Sequence, residues 1–219
     1  MSGFRQLEGR VRKDAKERRE RIVTAAARVF ARNGYAVALD AIAVEAGVGR
    51  ATLYRNFADR CQLALAVLDR HIEDVAAAAH NMNDRPDAFL AMLRTMCEGR
   101  TDHGALAAAI AAQHGETGRH AIAILRAKME GVCAVPVARA QRAGLLRPDF
   151  ELGEIHRLTL MLAAGAAEWD RSDESREFDR ALKILLEGIA PRLDSDKESD
   201  LINIPVDESQ IKRSDVSTS

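Results

Sequence analysis

Aromatic residues are scarce in this 219-residue chain, at 4% of the total. The apolar content is carried instead by Ala, Leu, Ile and Val. Alanine is the strongest helix former, so the composition leans all-α. Cysteine is also sparse. Cys61, Cys97 and Cys133 lie far apart and form no CxxC pair, which reads as buried, reduced thiols of a cytoplasmic protein, with a redox sensor as the minor alternative. No apolar run approaches the roughly 18 residues needed to span a bilayer, so no membrane partner is expected. The N-terminus lacks the apolar stretch of a secretory signal. There is no strand pattern, no internal repeat and no Gly-rich phosphate loop. Six scattered histidines show no close ligand spacing, so neither a metal nor a cofactor is expected.

What is present is a charge asymmetry. The net charge is −1, yet residues 1–60 hold 13 Lys and Arg against 7 Asp and Glu. Residues 61–193 hold 16 against 19, and residues 194–219 hold 3 against 7. A basic first quarter on an acidic remainder fits a nucleic-acid-facing head on a body with another task.

Hydrophobic periodicity divides the chain into about nine helices. Residues 1–15, with Arg5, Arg10, Arg12 and Lys13, show little periodicity and read as a flexible basic arm. Ile22, Ala25, Ala26, Val29 and Phe30 then share a helical face that ends at Asn33-Gly34. Two short helices follow, about 39–46 and 50–56, with Gly47-Val48-Gly49 between them. Asp59 with Gln62 reads as a capping box opening a long helix. Further helices are expected from Pro86 to about Arg100, from His103 to Ala112, from the Gly115–Gly118 break to Gly144, from Gly153 to Trp169 and from Arg176 to Leu193. Pro136 should kink the long seventh helix. Residues 194–219 read as a disordered acidic tail.

The segment Leu39–Phe57 has the physics of a helix-turn-helix. Ile42, Val48, Leu53 and Phe57 can form a small core, Ala43 and Ala46 permit close helix approach, and Gly47 permits the sharp turn. The second helix then presents Arg50, Thr52, Tyr54, Arg55 and Asn56, donors suited to base edges and phosphates. Residues 16–63 resemble the DNA-binding head of the tetracycline-repressor (TetR) family. The resemblance rests on Ile42-Ala43, Ala46-Gly47-Val48, Thr52-Leu53-Tyr54 and Phe57, followed by Arg60 and Leu63, with Ala26, Phe30, Gly34 and Tyr35 before them. Gly144-Leu-Leu-Arg-Pro-Asp149 is also similar to many members. Ala38, Gly49 and Ala51 depart from the family's Thr, Ser and Gly.

The resemblance implies a homodimer whose heads, residues 16–60, bind double-stranded operator DNA. Arg50, Ala51, Thr52, Tyr54, Arg55, Asn56, Arg60 and Leu39 would be the contacts. It also implies a body, residues 61–193, that binds an effector and dimerises through the last two helices. Candidate interface residues there are Leu158, Leu162, Trp169, Leu182, Leu185, Leu186 and Ile189. Candidate pocket residues are Phe89, Met92, Met96, His114 and Met161, methionine being adaptable in shape. For the Phe89–Met96 stripe plain core is the competing reading, and for His114 a satisfied helix end.

The expectation is therefore a repressor released by a small, mostly apolar effector. The alternatives are a DNA-binding helical protein without effector, and a helical enzyme with an incidental head. Against an enzyme, there is no nucleophile elbow, no HExxH and no recognisable carboxylate pair.

Overall fold

The computed structural model describes residues 2–81, 88–97, 100–166 and 174–189, and among these the chain is all-α, with nine helices and no strand. α1 (Ser2–Asn33), α2 (Leu39–Glu45), α3 (Arg50–Asn56) and α4 (Arg60–Asn81) are followed by α5 (Ala88–Cys97), α6 (Arg100–Gln113), α7 (Gly115–Arg142), α8 (Leu152–Ala166) and α9 (Glu174–Ile189). One expectation is corrected at the start. The backbone of residues 2–15, read as an arm without regular structure, belongs to α1. The run Arg10–Arg21 is rich in Arg, Lys, Glu and Ala, all good helix formers. Residues 13–19 of it are exposed, so the weak apolar periodicity there reflects a solvated helix face and not a break in the helix. The tail 194–219 lies outside the described residues.

The turn between α2 and α3 closes with paired backbone bonds. Val48 N–H donates to the Ala43 carbonyl at 3.0 Å and Gly47 N–H to the Val44 carbonyl at 3.1 Å. This is a Schellman pair, and it needs a left-handed residue between them. Gly47, at φ +62°, fills that place. At the start of α4 the Asp59 carboxylate accepts the Gln62 N–H at 2.8 Å, while Gln62 Oε1 accepts the N–H of Ala58. The cap is thus reciprocal, as the sequence suggested, but it reaches one residue further back.

Two apolar cores form. The first gathers Ile22, Ala26 and Phe30 of α1, Ile42 of α2, Leu53 of α3, and Leu63, Val67 and Leu68 of α4, together with Leu106 and Ile110 of α6. The second gathers Val75 of α4, Phe89, Met92 and Leu93 of α5, Cys133, Val137 and Ala140 of α7, Ile155, Leu158 and Leu162 of α8, and Leu182 of α9. The core beneath the helix-turn-helix therefore extends past residue 60, along α4 and into α6. α4 contributes its first half to one core and its second half to the other.

The α6–α7 junction is tight. α6 ends at Gln113 and α7 begins at Gly115, with Gly118 buried in the first turns of α7. A Cβ on Gly118 would lie 2.5 Å from the Ile110 carbonyl oxygen and 2.9 Å from the His114 Cβ. Only glycine permits this approach. Pro136 lies buried inside α7, where it supplies no N–H for the Val132 carbonyl one turn earlier.

Candidate functional site

α3 packs through Leu53, and Phe57 follows directly; both are about 1% exposed. That anchoring turns Arg50, Ala51, Tyr54 and Arg55 outward on one exposed face, at the i, i+1, i+4, i+5 spacing of adjacent helical turns. The Arg50 guanidinium stands 5.6 Å from the Tyr54 ring centre and pairs with Asp40 of α2 at 3.2 Å. Both partners of that pair are more than half exposed, so it costs little to exchange Asp40 for another anion. Thr52 and Asn56 are half-buried and bonded within the helix. Arg55 donates to Thr52 Oγ1 at 2.9 Å, and Asn56 Nδ2 donates to the Thr52 carbonyl at 2.8 Å. Their side chains fix the helix surface more than they extend it.

Two expected contact residues sit differently. Leu39 is buried in the first core, so its side chain serves packing and not an external surface. Arg60 is half-buried, with its guanidinium 5.7 Å from the Tyr35 ring centre and its Nε enclosed without a hydrogen-bond partner. A residue not anticipated also shapes α3. Arg19 of α1 covers the Phe57 ring at 4.2 Å and donates to the Asn56 carbonyl at 3.1 Å. It places a cation at the C-terminus of α3, where the helix dipole favours one.

Tyr35 links the helix-turn-helix to the body. Its hydroxyl lies 2.8 Å from His114 Nε2, and the two rings meet edge to face. Burial, and then the neighbouring Cys61, push the Tyr35 phenol above its usual range, so it stays neutral and can donate to the imidazole. Burial, with Asp59 beside it, also pushes the Cys61 thiol up. His114 thus stands at this junction, at the α6–α7 turn, and does not line the cavity described next.

A cavity of about 170 Å³ lies between the two cores, where α4, α6, α7 and α8 face one another. It is lined mainly by apolar groups, among them Leu68 and Ile72 of α4, Ala107 of α6, Leu125 and Met129 of α7, and Ile155 of α8. Its polar lining includes His71, His103 and His156, with Arg126 and Glu130. The His71 and His103 rings stack at 4.2 Å between centres. Cys133 also lines the cavity. Burial, with Glu130 nearby, pushes its thiol up to about 12, so it is protonated at neutral pH and not a reactive thiolate.

Of the five candidate pocket residues only Met96 reaches this cavity. Phe89 and Met92 are sealed in the second core, and Met161 is 59% exposed. Met161 flanks the buried Leu158–Leu162 stripe of α8 and turns to solvent. The candidate interface residues on α8 and α9 divide between the core and positions outside it. Leu158, Leu162 and Leu182 are buried in the second core, and Leu185 packs against it. Among the described side chains, the large apolar ones exposed on α8 and α9 are Leu160 at 48%, Met161 at 59% and Ile184 at 63%. Trp169 and the side chains of Leu186 and Ile189 lie outside the described residues.

Among the described residues no helix is long and apolar enough to cross a membrane. Comparison with known proteins adds an independent line. Residues 22–67 match the family model for bacterial regulatory proteins of the TetR family, and residues 84–191 match that for the C-terminal domain of SbtR-like transcriptional regulators. The helix-turn-helix transcriptional activator FasR of Mycolicibacterium smegmatis is 42% identical over 62 residues, which is 28% of each chain. The match thus spans under a third of that relative's length. A TetR regulatory protein from Mycobacterium vanbaalenii superposes with a TM-score of 0.63 at 25% identity, over 83% of this chain and 99% of its own. A TetR regulator from Streptomyces coelicolor does so with a TM-score of 0.63 at 26% identity, over 79% and 98%. With an outward Arg50–Arg55 face on a helix-turn-helix and family matches over both halves, this chain belongs to the TetR family of DNA-binding transcriptional regulators.

Proposed function

We propose that the protein is a homodimeric repressor that leaves a palindromic operator when a small, mostly apolar effector enters the cavity between its two cores. The observation that carries this reading is the position of that cavity. It is bounded by α4, whose first turn follows α3 after three residues, and by α6, whose Leu106 and Ile110 are part of the core under the helix-turn-helix. A ligand that separates α4 from α6 strains the packing on which α3 rests. α4 has 22 residues and spans roughly 33 Å, so a small tilt at the cavity moves its DNA end by several ångströms. The effector then favours a state in which the two heads no longer match their half-sites, a population shift and not an obstruction.

In this reading residues 16–60 form the DNA-binding head and 61–193 the effector-binding and dimerisation body. Arg50, Tyr54 and Arg55 supply the DNA contacts. The dimer closes over α8 and α9, for which the exposed Leu160, Met161 and Ile184 offer an apolar face. Two heads on a two-fold axis read half-sites about one helical turn apart, roughly 34–36 Å, or a multiple of that.

Sequencing the genomic DNA fragments retained by the purified protein tests the reading. A two-fold symmetric consensus with that spacing supports it, as does rising expression of the adjoining gene when the protein is deleted. Falling expression would make the protein an activator, and retention without any consensus would leave only an architectural DNA binder.

A further inference from the structure

Three of the chain's six histidines, one each from α4, α6 and α8, line the same cavity, although they are far apart in sequence. His71 and His103 also line a second, outer pocket against Val23, Thr24 and Ala27 of α1. The stacked imidazoles are therefore a shared wall between the inner cavity and the side of the molecule next to α1. His71 stands three residues beyond Leu68, the last α4 residue of the head's core. A group bound at this wall acts directly on the helix that follows α3.

The chemistry of the wall selects among ligand classes. Among the described residues no Phe, Tyr or Trp lines the inner cavity, so they form no aromatic cage for an organic cation. Among the described residues no group of three His, Cys, Asp or Glu could hold a metal ion. The His71 and His103 ring planes are only 29° from parallel, so in-plane lone pairs do not converge on one ion. Imidazoles instead offer N–H donors, and each gains a second donor and a positive charge on protonation. Among the described residues, the two pockets bring further charged groups to the pair. Arg70 and Asp74 of α4 pair with each other at 3.0 Å, and Arg70 also pairs with Glu20 of α1. α7 brings one Arg126 and one Glu130, the latter beside Cys133, and α8 brings His156. From α5 the two pockets receive Met96 and Thr95, which are neutral. A volume of about 170 Å³ is close to that of an engineered apolar cavity that takes up benzene.

We propose that the effector is a small carboxylic acid with an apolar body, its anionic head held at the His71–His103 pair with His156 as a further donor. This rests on the effector reading above and names its ligand class. The apolar body lies against Met96, Met129 and Ile155. A carboxylate in a mainly apolar cavity needs several donors, and the three imidazoles together with the Arg126 guanidinium on the same lining can supply them.

Benzoate, with benzyl alcohol as its neutral counterpart, tests this by calorimetry on the full-length protein from pH 5.5 to 8.0. Benzoate is ionised across this range, and protonation of the wall towards its lower end adds the donors and charge that hold the anion. Benzoate affinity should fall about tenfold or more across the range, with proton uptake on binding, while benzyl alcohol shows no such dependence. His71→Gln with His103→Gln keeps amide donors but cannot titrate, and should flatten the benzoate profile while operator DNA binding persists. Equal, pH-independent binding of the two probes by the wild type would overturn the proposal, and so would binding of neither. Operator release by benzyl alcohol alone would discard the carboxylate and keep the effector reading.

Discussion

The helix-turn-helix and the cavity are built in opposite ways. The outward face of α3 is made by residues within six positions of one another, and its geometry follows from one turn, one cap and one buried leucine. The cavity is made by residues spread from Leu68 to His156, contributed by five helices, α4 to α8, that must pack together to form it. A recognition surface can therefore be local, whereas a sensing site needs the whole body. Among the described residues the body reaches the head through α4, the α6 and α7 residues packed on the first core, and the Tyr35–His114 contact.

That contrast can be broken or sharpened by substitution. The largest effect is expected at the α6–α7 junction. Gly118→Ala forces a methyl group against the Ile110 carbonyl, and should destabilise the fold by about 3 kcal/mol. Thermal unfolding checks it, and an unchanged midpoint would show that the junction can relax. Next comes Arg50→Ala, which should weaken operator binding by about 2 kcal/mol and relax preference at one base pair per half-site, with stability unchanged because its pair with Asp40 is exposed. Equal losses on operator and random DNA would make Arg50 a phosphate contact only. Tyr35→Phe removes one hydrogen bond across the junction and should cost about 1 kcal/mol of stability. It leaves the α3 face intact, so operator affinity should persist in titrations. The smallest effect is chemical. Cys133, held protonated by burial, should resist alkylation at pH 8 in the folded protein, and rapid labelling seen by mass spectrometry would show that the cavity opens widely.

The same contrast explains what could be read from the sequence. The fold class, the α2–turn–α3 unit and the Arg50–Arg55 face follow from helix periodicity, Gly47 and the apolar spacing beneath them. A short-range pattern locates Leu39 and Arg60 on their helices without showing which tertiary neighbour claims each side chain. Leu39 is taken by the first core, and Arg60 by the Tyr35 ring. Phe89, Met92 and Met161 were chosen as pocket residues for their side-chain type. Packing buries the first two and exposes the third. His71 did carry a signal, a polar residue between Leu68 and Ile72 on the inward stripe of α4, and Gly104 and Ala107 on α6 were small enough to leave room. Their meeting depends on two helices separated by α5, which no local pattern specifies.

The central claim is that filling the cavity between the cores governs the DNA-binding end of α4. Gly104 offers the most direct test. It lines the cavity, and a Cβ placed on it meets nothing within 4 Å, so Gly104→Phe can fill the space without strain at its own backbone. Operator affinity is measured for wild type and variant, with and without a small-molecule extract of the cells that make the protein. The wild type should lose affinity about tenfold or more in the extract, and the variant should hold the same affinity in both conditions. A variant that responds as the wild type does, or a wild type indifferent to the extract, would contradict the account.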